Sequence, residues 1–582
     1  MPTLQTLDCD VLVIGSGAAG LAAAVSAAHH GLRVVVAEKA AQLGGTSAWS
    51  GGWLWIPRNP LALAEGHIEP DDAPERYLKA QVHAKQLDER QAAFLRHGPE
   101  MVEFFQRHSA VQFFSGTHMP DMRDGEGSAA GGRSLCAQPY DGRELGPWLR
   151  RLREPLDIVS LAGMGIAGGA DLANFLDATR SPKAALYALK RIARHWYGRL
   201  RYGCGTQLVN GNALVARLLR SALDLKVQLL TQTPIHELLR EGGKVTGARS
   251  DTLEFRARRG VVLACGGFPH DRERIARLMP HAPDGWQHRS AAPPQNTGDG
   301  LRLGEAAGGS VETNLRSPVA WAPVSKVTHR DGSVGHFPHI IERGKPGIIG
   351  VLANGKRFVN EAHGYYDYVS AMLAALPEDQ EPCSWLVCDQ RFLRRYGLGY
   401  VRPAPLPIGA HLRSGYLKRG ASIEQLAQLC GIDPQGLAQT VADFNRHARN
   451  GEDPAFGRGS TAFNRKQGDA ANPGPNPCVA PIEHGPFYAV KVQPGCFGTF
   501  AGLKTDGQAR VLGADGQPIP GLYAAGTDMA SVFGGHYPSG GINLGPALTF
   551  GYVAGRHAAG AHDYEPQAGA TPCKHASATA TA

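Results

Sequence analysis

Three glycines at fixed spacing constrain this chain more than any other feature. Gly15-x-Gly17-x-x-Gly20 follows the apolar run Val11-Leu12-Val13-Ile14, opens the small-residue stretch Ala18 to His30, and is followed by Glu38, 18 residues after Gly20. A short, wholly apolar run is what a parallel strand covered on both faces requires. The order predicts a strand, a tight turn, a helix and a second strand from Arg33 to Ala37. That is the βαβ context in which this spacing binds a dinucleotide. Gly15 permits the turn, Gly17 lets a pyrophosphate reach the backbone, and Gly20 lets the helix pack on the strand. Ala18 and Ala19 stand at the helix N-terminus, where free amides and the helix dipole favour a phosphate. Glu38 can accept both ribose hydroxyls, with Lys39 beside it.

Two more segments have the same strand-like character: Gly260 to Cys265, running into Gly266-Gly267, and Gly521 to Asp528. Three such pieces far apart predict an α/β fold, a Rossmann-like FAD-binding domain built from both ends of the chain. An α+β catalytic (capping) domain is inserted in the middle. The expected boundaries are 1–295 for the first part, 296–489 for the inserted domain, 490–562 for the second part and 563–582 for an Ala/Thr-rich disordered tail. Residues 160–202 stand apart as an insert. The length of 582 residues suits two or more domains. Gly 74 is high, but the glycines gather in motifs and read as backbone lying close to a ligand. A net charge of +8 suits an anionic cofactor or surface and requires no nucleic acid. The ten cysteines show no metal-ligand spacing and no CxxCH, so no metal and no haem is expected. A reducing cytoplasm fits them, and neither an export signal nor a spanning segment is expected.

Gly44-Gly45-Thr46-Ser47-Ala48-Trp49-Ser50-Gly51-Gly52 resembles the flavin-contacting loop of the fumarate reductase/succinate dehydrogenase-like flavoproteins. Where succinate dehydrogenases carry a flavin-linked histidine, Gly45 stands here, so the resemblance implies non-covalent FAD. Thr46, Ser47, Ser50, Gly51 and Gly52 would reach the isoalloxazine and pyrophosphate. Gly526 and Asp528 resemble the segment whose acid meets the ribityl chain. Asn543 and Leu544 would open the last helix at the flavin pyrimidine, where its dipole favours an anionic reduced flavin.

Two further motifs resemble the 3-ketosteroid Δ1-dehydrogenase (3-oxosteroid 1-dehydrogenase) family. Gly355-Lys356-Arg357-Phe358-Val359-Asn360-Glu361 leads to Tyr365, at the place where fumarate reductases carry a proton-donating arginine. Tyr537-Pro538-Ser539-Gly540-Gly541 leads to Gly545-Pro546-Ala547-Leu548-Thr549-Phe550-Gly551-Tyr552. The resemblance covers most of 8–562. It implies that the Tyr537 hydroxyl and the Gly541 N–H polarise a ketone, Tyr365 takes the α proton and flavin N5 takes the hydride. A phenol with a pKa of ~10 needs assistance to act as a base. The family supplies it from a second tyrosine, but the matching stretch His118 to Gly125, ahead of Gly132-Arg133-Ser134, has Met122 in that place. Tyr366 and Tyr140 are the candidates to substitute. Arg357 is expected to anchor its segment, with His363 and His536 as wall or hydrogen-bonding residues.

The resemblance implies C1–C2 desaturation of a 3-ketosteroid, with electrons passing to a quinone-like acceptor. Alternatives are a Δ4-type ketosteroid dehydrogenase, a fumarate reductase-like enzyme acting on an unsaturated carboxylate, and a flavin carrier without chemistry. The carboxylate reading wants guanidinium groups, and neither position 365 nor the stretch 530–550 offers one. Segment 183–201 predicts a basic helix with interleaved apolar residues, either a solvated or packing face or a peripheral contact with the inner membrane face.

Overall fold

The computed structural model describes residues 5–329, 331–377 and 380–561; the expected disordered tail 563–582 lies outside them. The first strand, Gln5–Ile14, lies at the centre of an eight-stranded sheet. It pairs in parallel with Val34–Ala37 on one side and with Leu253–Leu263 on the other. Gln228–Leu230 extends the first side, and Pro518–Ala524 extends the second, both in parallel. Strands from near residues 10, 260 and 520 are therefore neighbours, so the expected assembly from both chain ends is the observed fold. The Val11, Leu12 and Val13 side chains are fully buried, as a strand covered on both faces requires, and the helices Ala18–His29 and Leu544–Ala559 pack on this sheet.

The helix Ala18–His29 packs against the last helix, Leu544–Ala559, through small residues. A Cβ on Gly551 would meet Ala19 O at 2.4 Å, and one on Gly555 would meet Ala23 O at 2.5 Å. Neither contact can relax without separating the two helices. Gly555→Val is therefore expected to cost about 1–3 kcal/mol by overpacking. It should lower the thermal midpoint of the holoprotein; an unchanged midpoint would contradict this packing.

The second sheet has seven strands, in the order Val334–Pro338, Val319–Thr328, Phe487–Thr499, Ser384–Cys388, Ile348–Val351. Arg289–Ser290 and Lys418–Gly420 also pair with its long central strand. That strand, Phe487–Thr499, continues through the expected boundary at 489/490 and stays paired to Val319–Thr328 as far as Thr499. By strand pairing, the chain returns to the first sheet only after residue 499.

Within the insert, Ala170–Asp177 and the long helix Pro182–Tyr202 pack on each other. No helix among the described residues is long and apolar enough to cross a membrane.

Candidate active site

The dinucleotide fingerprint lies at the C-terminal ends of the central strands, where open α/β sheets bind ligands. Gly15 adopts φ +107°, and a Cβ there would meet Ala264 O at 2.2 Å. A Cβ on Gly20 would meet Gly15 O at 2.0 Å, so the first and third glycines serve the turn and the packing. Gly17 is the N-cap of the first helix, and a Cβ there would find only Ser47 Oγ, at 3.5 Å. This leaves open backbone where a pyrophosphate would approach.

Several nominated residues are already engaged. Glu38 Oε2 accepts from the Ser16 N–H (3.0 Å) and hydroxyl (2.7 Å), and Oε1 accepts from the Ala40 N–H (2.9 Å). The Ala18 amide donates to Ser47 Oγ at 3.0 Å. Lys39 pairs with Asp299 and donates to Thr297 Oγ1. Thr46 Oγ1 accepts from Asn296, and the Ser50 hydroxyl closes the loop onto Ser47 O while accepting from Gly52 N–H. Gly45, at φ +50°, keeps that loop against Gly17, and Gly51 O accepts from Cys136 Sγ. A Cβ on Gly52 would meet the Asn210 carbonyl carbon at 2.4 Å. Ala19 faces Gly526, where a Cβ would come within 3.0 Å of the Ala19 Cβ. Asp528 is fully buried and its two oxygens accept the Cys265 and Gly267 amides (2.5 and 2.9 Å), which ties the adjacent strand ends together. Asn543 caps the last helix, and Leu544 is its first residue.

The residues present fit FAD. Arg153 is buried beside Glu38, its guanidinium lies over the Trp49 ring at 5.2 Å, and its Nε has no hydrogen-bond partner among the described residues. A buried, incompletely satisfied cation at the edge of a dinucleotide fingerprint suits a phosphate-bearing ligand. No motif surrounds Arg153 in the sequence, and only the pairing of its segment with Leu43 brings it there.

The second cluster lies around Tyr365 and Tyr537, 172 positions apart. Their hydroxyls are hydrogen-bonded at 2.5 Å and their rings meet edge to face at 5.0 Å. Tyr365 is the first residue of the helix Tyr365–Ala375, whose N-terminal dipole favours a phenolate. Burial pushes its pKa up to about 12, against the opposing effects of the Tyr537 hydrogen bond and the Arg343 charge. Tyr537 is pushed well above the ordinary phenol range, by burial and by Tyr365 itself. Of the two, Tyr365 is the more readily deprotonated and Tyr537 the better placed to remain a donor.

Gly541 adopts φ +100°, and a Cβ there would lie 2.7 Å from Leu54 C and Trp55 N. Only glycine fits so close to the strand Trp53–Trp55. Its carbonyl accepts from Trp55 and Gly545, while its N–H has no partner among the described residues. The two phenols thus adjoin each other, and Gly541, four residues after Tyr537, keeps a free amide; a phenol donor, an amide donor and a base are the groups needed to polarise a carbonyl and take a proton from its α carbon.

The expected anchor Arg357, with partners unseen in the sequence, supports the segment that leads to Tyr365. Arg357 makes bidentate ion pairs with Glu361 (2.8 and 2.7 Å) and Asp453 (2.7 and 2.8 Å), and Arg458 adds a contact to Glu361 at 3.2 Å. Arg343 is buried and donates to the carbonyls of His339 and Glu361, with longer contacts to His363 O. It braces the turn that ends at Tyr365. Phe497 packs edge-on against the Tyr365 ring at 5.2 Å. His363 bonds Asn464, and His536, its pKa pushed down to about 4 chiefly by burial, lies against His83. His363 thus makes a hydrogen bond and His536 a ring contact.

Met122, at the place of the family's second tyrosine, is buried. Its N–H donates to Pro538 O, and its side chain reaches Gly364 and Gly540, which flank the two phenols. Neither candidate substitute bonds Tyr365. Tyr140 lies under Arg217, and the Tyr366 hydroxyl donates to Gly535 O at 2.9 Å. The partner of Tyr365 is Tyr537 itself. No group of three His, Cys, Asp or Glu placed to hold a metal occurs among the described residues.

Residues 10–544 match the model of the FAD binding domain family. The chain is 40% identical over 560 residues to 4-oxocyclohex-2-ene-1-carboxylate 5-dehydrogenase of Sinomonas cyclohexanicum, covering 95% of this chain and 94% of that one. It is 34% identical to 3-oxosteroid 1-dehydrogenase of Mycolicibacterium smegmatis, covering 94% and 96%. Among solved structures it resembles 3-ketosteroid Δ1-dehydrogenase from Sterolibacterium denitrificans in complex with 1,4-androstadiene-3,17-dione. The TM-score is 0.87 at 35% identity, over 95% of this chain and 100% of that one. With these likenesses and the glycine cradle at the strand ends, the chain belongs to the FAD binding domain family and is an FAD-dependent oxidoreductase.

Proposed function

We propose that this enzyme desaturates the carbon–carbon bond next to the ketone of a cyclic substrate, and that the substrate is a 3-ketosteroid desaturated at C1–C2. The observation that carries the reading is the Tyr365–Tyr537 hydroxyl contact, with the unpartnered Gly541 N–H four residues after Tyr537. The Tyr537 hydroxyl and Gly541 N–H bind the substrate carbonyl and stabilise the charge that grows on its oxygen. When the carbonyl takes the Tyr537 proton bond, the Tyr365 oxygen is released to accept the proton of the neighbouring C–H. The first turn of its helix and the Arg343 charge favour that phenolate. Walls from the half-buried Phe497 and the buried Phe500 and Met122 limit the access of water to the exchange. Bound FAD would supply the acceptor for the hydride that leaves the next carbon.

A base with a pKa near 12 in the free enzyme is almost wholly protonated at neutral pH. As pH rises toward that value its active fraction grows, so kcat/KM is expected to rise about tenfold per pH unit between roughly pH 7 and 10. A pH-rate profile with steroid and a dye acceptor checks this. A plateau below about pH 8 would mean that substrate binding or another group controls the rate.

A second substrate reading, a small cyclic ketone bearing a carboxylate, is favoured by the name of the Sinomonas relative. Cations near the tyrosine pair add to it. Arg123, the residue after Met122, pairs with Asp367 at 2.5 Å, and its charge reaches His536. Comparing kcat/KM for androst-4-ene-3,17-dione and 4-oxocyclohexanecarboxylate decides between the two readings. Preference for the steroid supports the first, and preference for the keto acid, lost in Arg123→Ala, would replace it with the second. The position of the new double bond separates Δ1 from Δ4 chemistry.

A further inference from the structure

The helix Pro182–Tyr202 carries an apolar stripe that nothing in the fold covers. Leu186 is 52% exposed, Leu189 63%, Trp196 55%, Tyr197 63% and Leu200 89%. At about 100° per residue these side chains, with Ala193, fall in one arc roughly 100° wide. The inward face is different and already fully engaged. Ala184, Ala188, His195 and Gly198 are buried. His195 Nε2 bonds Ala162 O at 3.0 Å, Arg191 pairs with Asp171 at 2.9 Å, and the Tyr187 hydroxyl donates to Asp171 at 2.9 Å. The helix is therefore held to the body by its other side, and the stripe has no remaining internal surface to reach.

Beside the stripe runs a row of cations. Lys183, Lys190, Arg194 and Arg201 share a narrow arc between the apolar stripe and the buried face, and all four are exposed. None of them makes an ion pair among the described residues, and the helix contains no Asp or Glu. An apolar face with Trp and Tyr, bordered by cations of a single sign, matches a bilayer surface, where apolar side chains enter the acyl boundary and cations meet anionic headgroups. A second copy of the chain is a poorer match. Packing two such faces together would double the row of cations with no acidic side chain on this helix to meet it.

We propose that Pro182–Tyr202 docks the enzyme peripherally on an anionic lipid bilayer, lying in the interface with Leu186, Leu189, Trp196 and Leu200 inserted and Lys183, Lys190, Arg194 and Arg201 on the headgroups. The test is flotation of the FAD-loaded enzyme with vesicles of phosphatidylcholine alone or mixed with phosphatidylglycerol. Wild type is expected to float with the mixed vesicles and much less with phosphatidylcholine alone, and added salt should weaken binding. Leu189→Ser/Leu200→Ser is expected to reduce the bound fraction about tenfold, and Lys190→Glu/Arg194→Glu to abolish the preference for anionic lipid. The substituted residues are exposed and remote from the tyrosine pair, so unchanged flavin content and turnover on a soluble substrate verify folding. Wild type failing to float with either vesicle, or the serine variant floating like wild type, would overturn the proposal. So would a wild-type dimer that becomes monomeric in the serine variant without vesicle binding, which would make a second copy the occupant of this face.

Discussion

Tyr365→Phe is expected to lower kcat by about 10³-fold, within the range general-base removal usually produces. The substitution removes one oxygen and keeps the ring, so the contacts with Phe497 and Tyr537 at 5.2 and 5.0 Å survive. The braces from Arg343 and from the Arg357–Glu361–Asp453 network act on the backbone and on other side chains, so the helix start stays in place. What is lost is the oxygen to which the proposed mechanism gives the α proton. Flavin content and thermal midpoint should stay close to wild type, and the rise of kcat/KM with pH should flatten, because its titrating group is gone. Steady-state kinetics with a dye acceptor checks both. A variant within about threefold of wild type would remove Tyr365 from the reaction.

Tyr537→Phe is expected to cost about 10²–10³-fold in kcat, the usual loss when one oxyanion donor is removed. Gly541 N–H remains, so activity should not vanish. The loss should fall on kcat more than on KM, because the carbonyl oxygen gains charge in the transition state rather than in the bound ketone. Tyr537 also donates to or shares a proton with Tyr365, so the two substitutions act on one unit. The double variant is expected to be little worse than Tyr365→Phe alone. Fully multiplicative losses would mean that the two phenols work independently and that the 2.5 Å contact has no catalytic part.

The sequence made the first sheet readable because its signals are local. An apolar run, a glycine turn and a small-residue helix follow one another within 30 residues, and Gly260–Cys265 and Gly521–Asp528 repeat the strand character. The end of the inserted domain was not readable in the same way. Phe487–Thr499 is one strand because Ser384–Cys388 and then Val319–Thr328 pair along it in succession, and partners so distant in sequence leave no local mark at residue 490. Motifs nominated Tyr365, Tyr537 and Gly541 one by one, but not their mutual contact. The missing second tyrosine at Met122 therefore looked like a gap, while in the structure Tyr537 is the partner. Arg343 and Arg153 belong to no motif and gain their places through long-range packing. The place of Glu38 after the fingerprint, with Lys39 beside it, and the motif around Asp528 point to cofactor contacts, and the structure adds what motifs cannot tell: these side chains already hold Ser16, Asp299 and the 265–267 turn.

Anaerobic mixing of the purified FAD-loaded enzyme with androst-4-ene-3,17-dione, followed at the visible flavin absorbance, tests proton abstraction by Tyr365 beside a polarised ketone most directly. Rapid bleaching in wild type, slowed about 10³-fold in Tyr365→Phe with unchanged flavin content, is the expected result. Bleaching at the same rate in both proteins would contradict it.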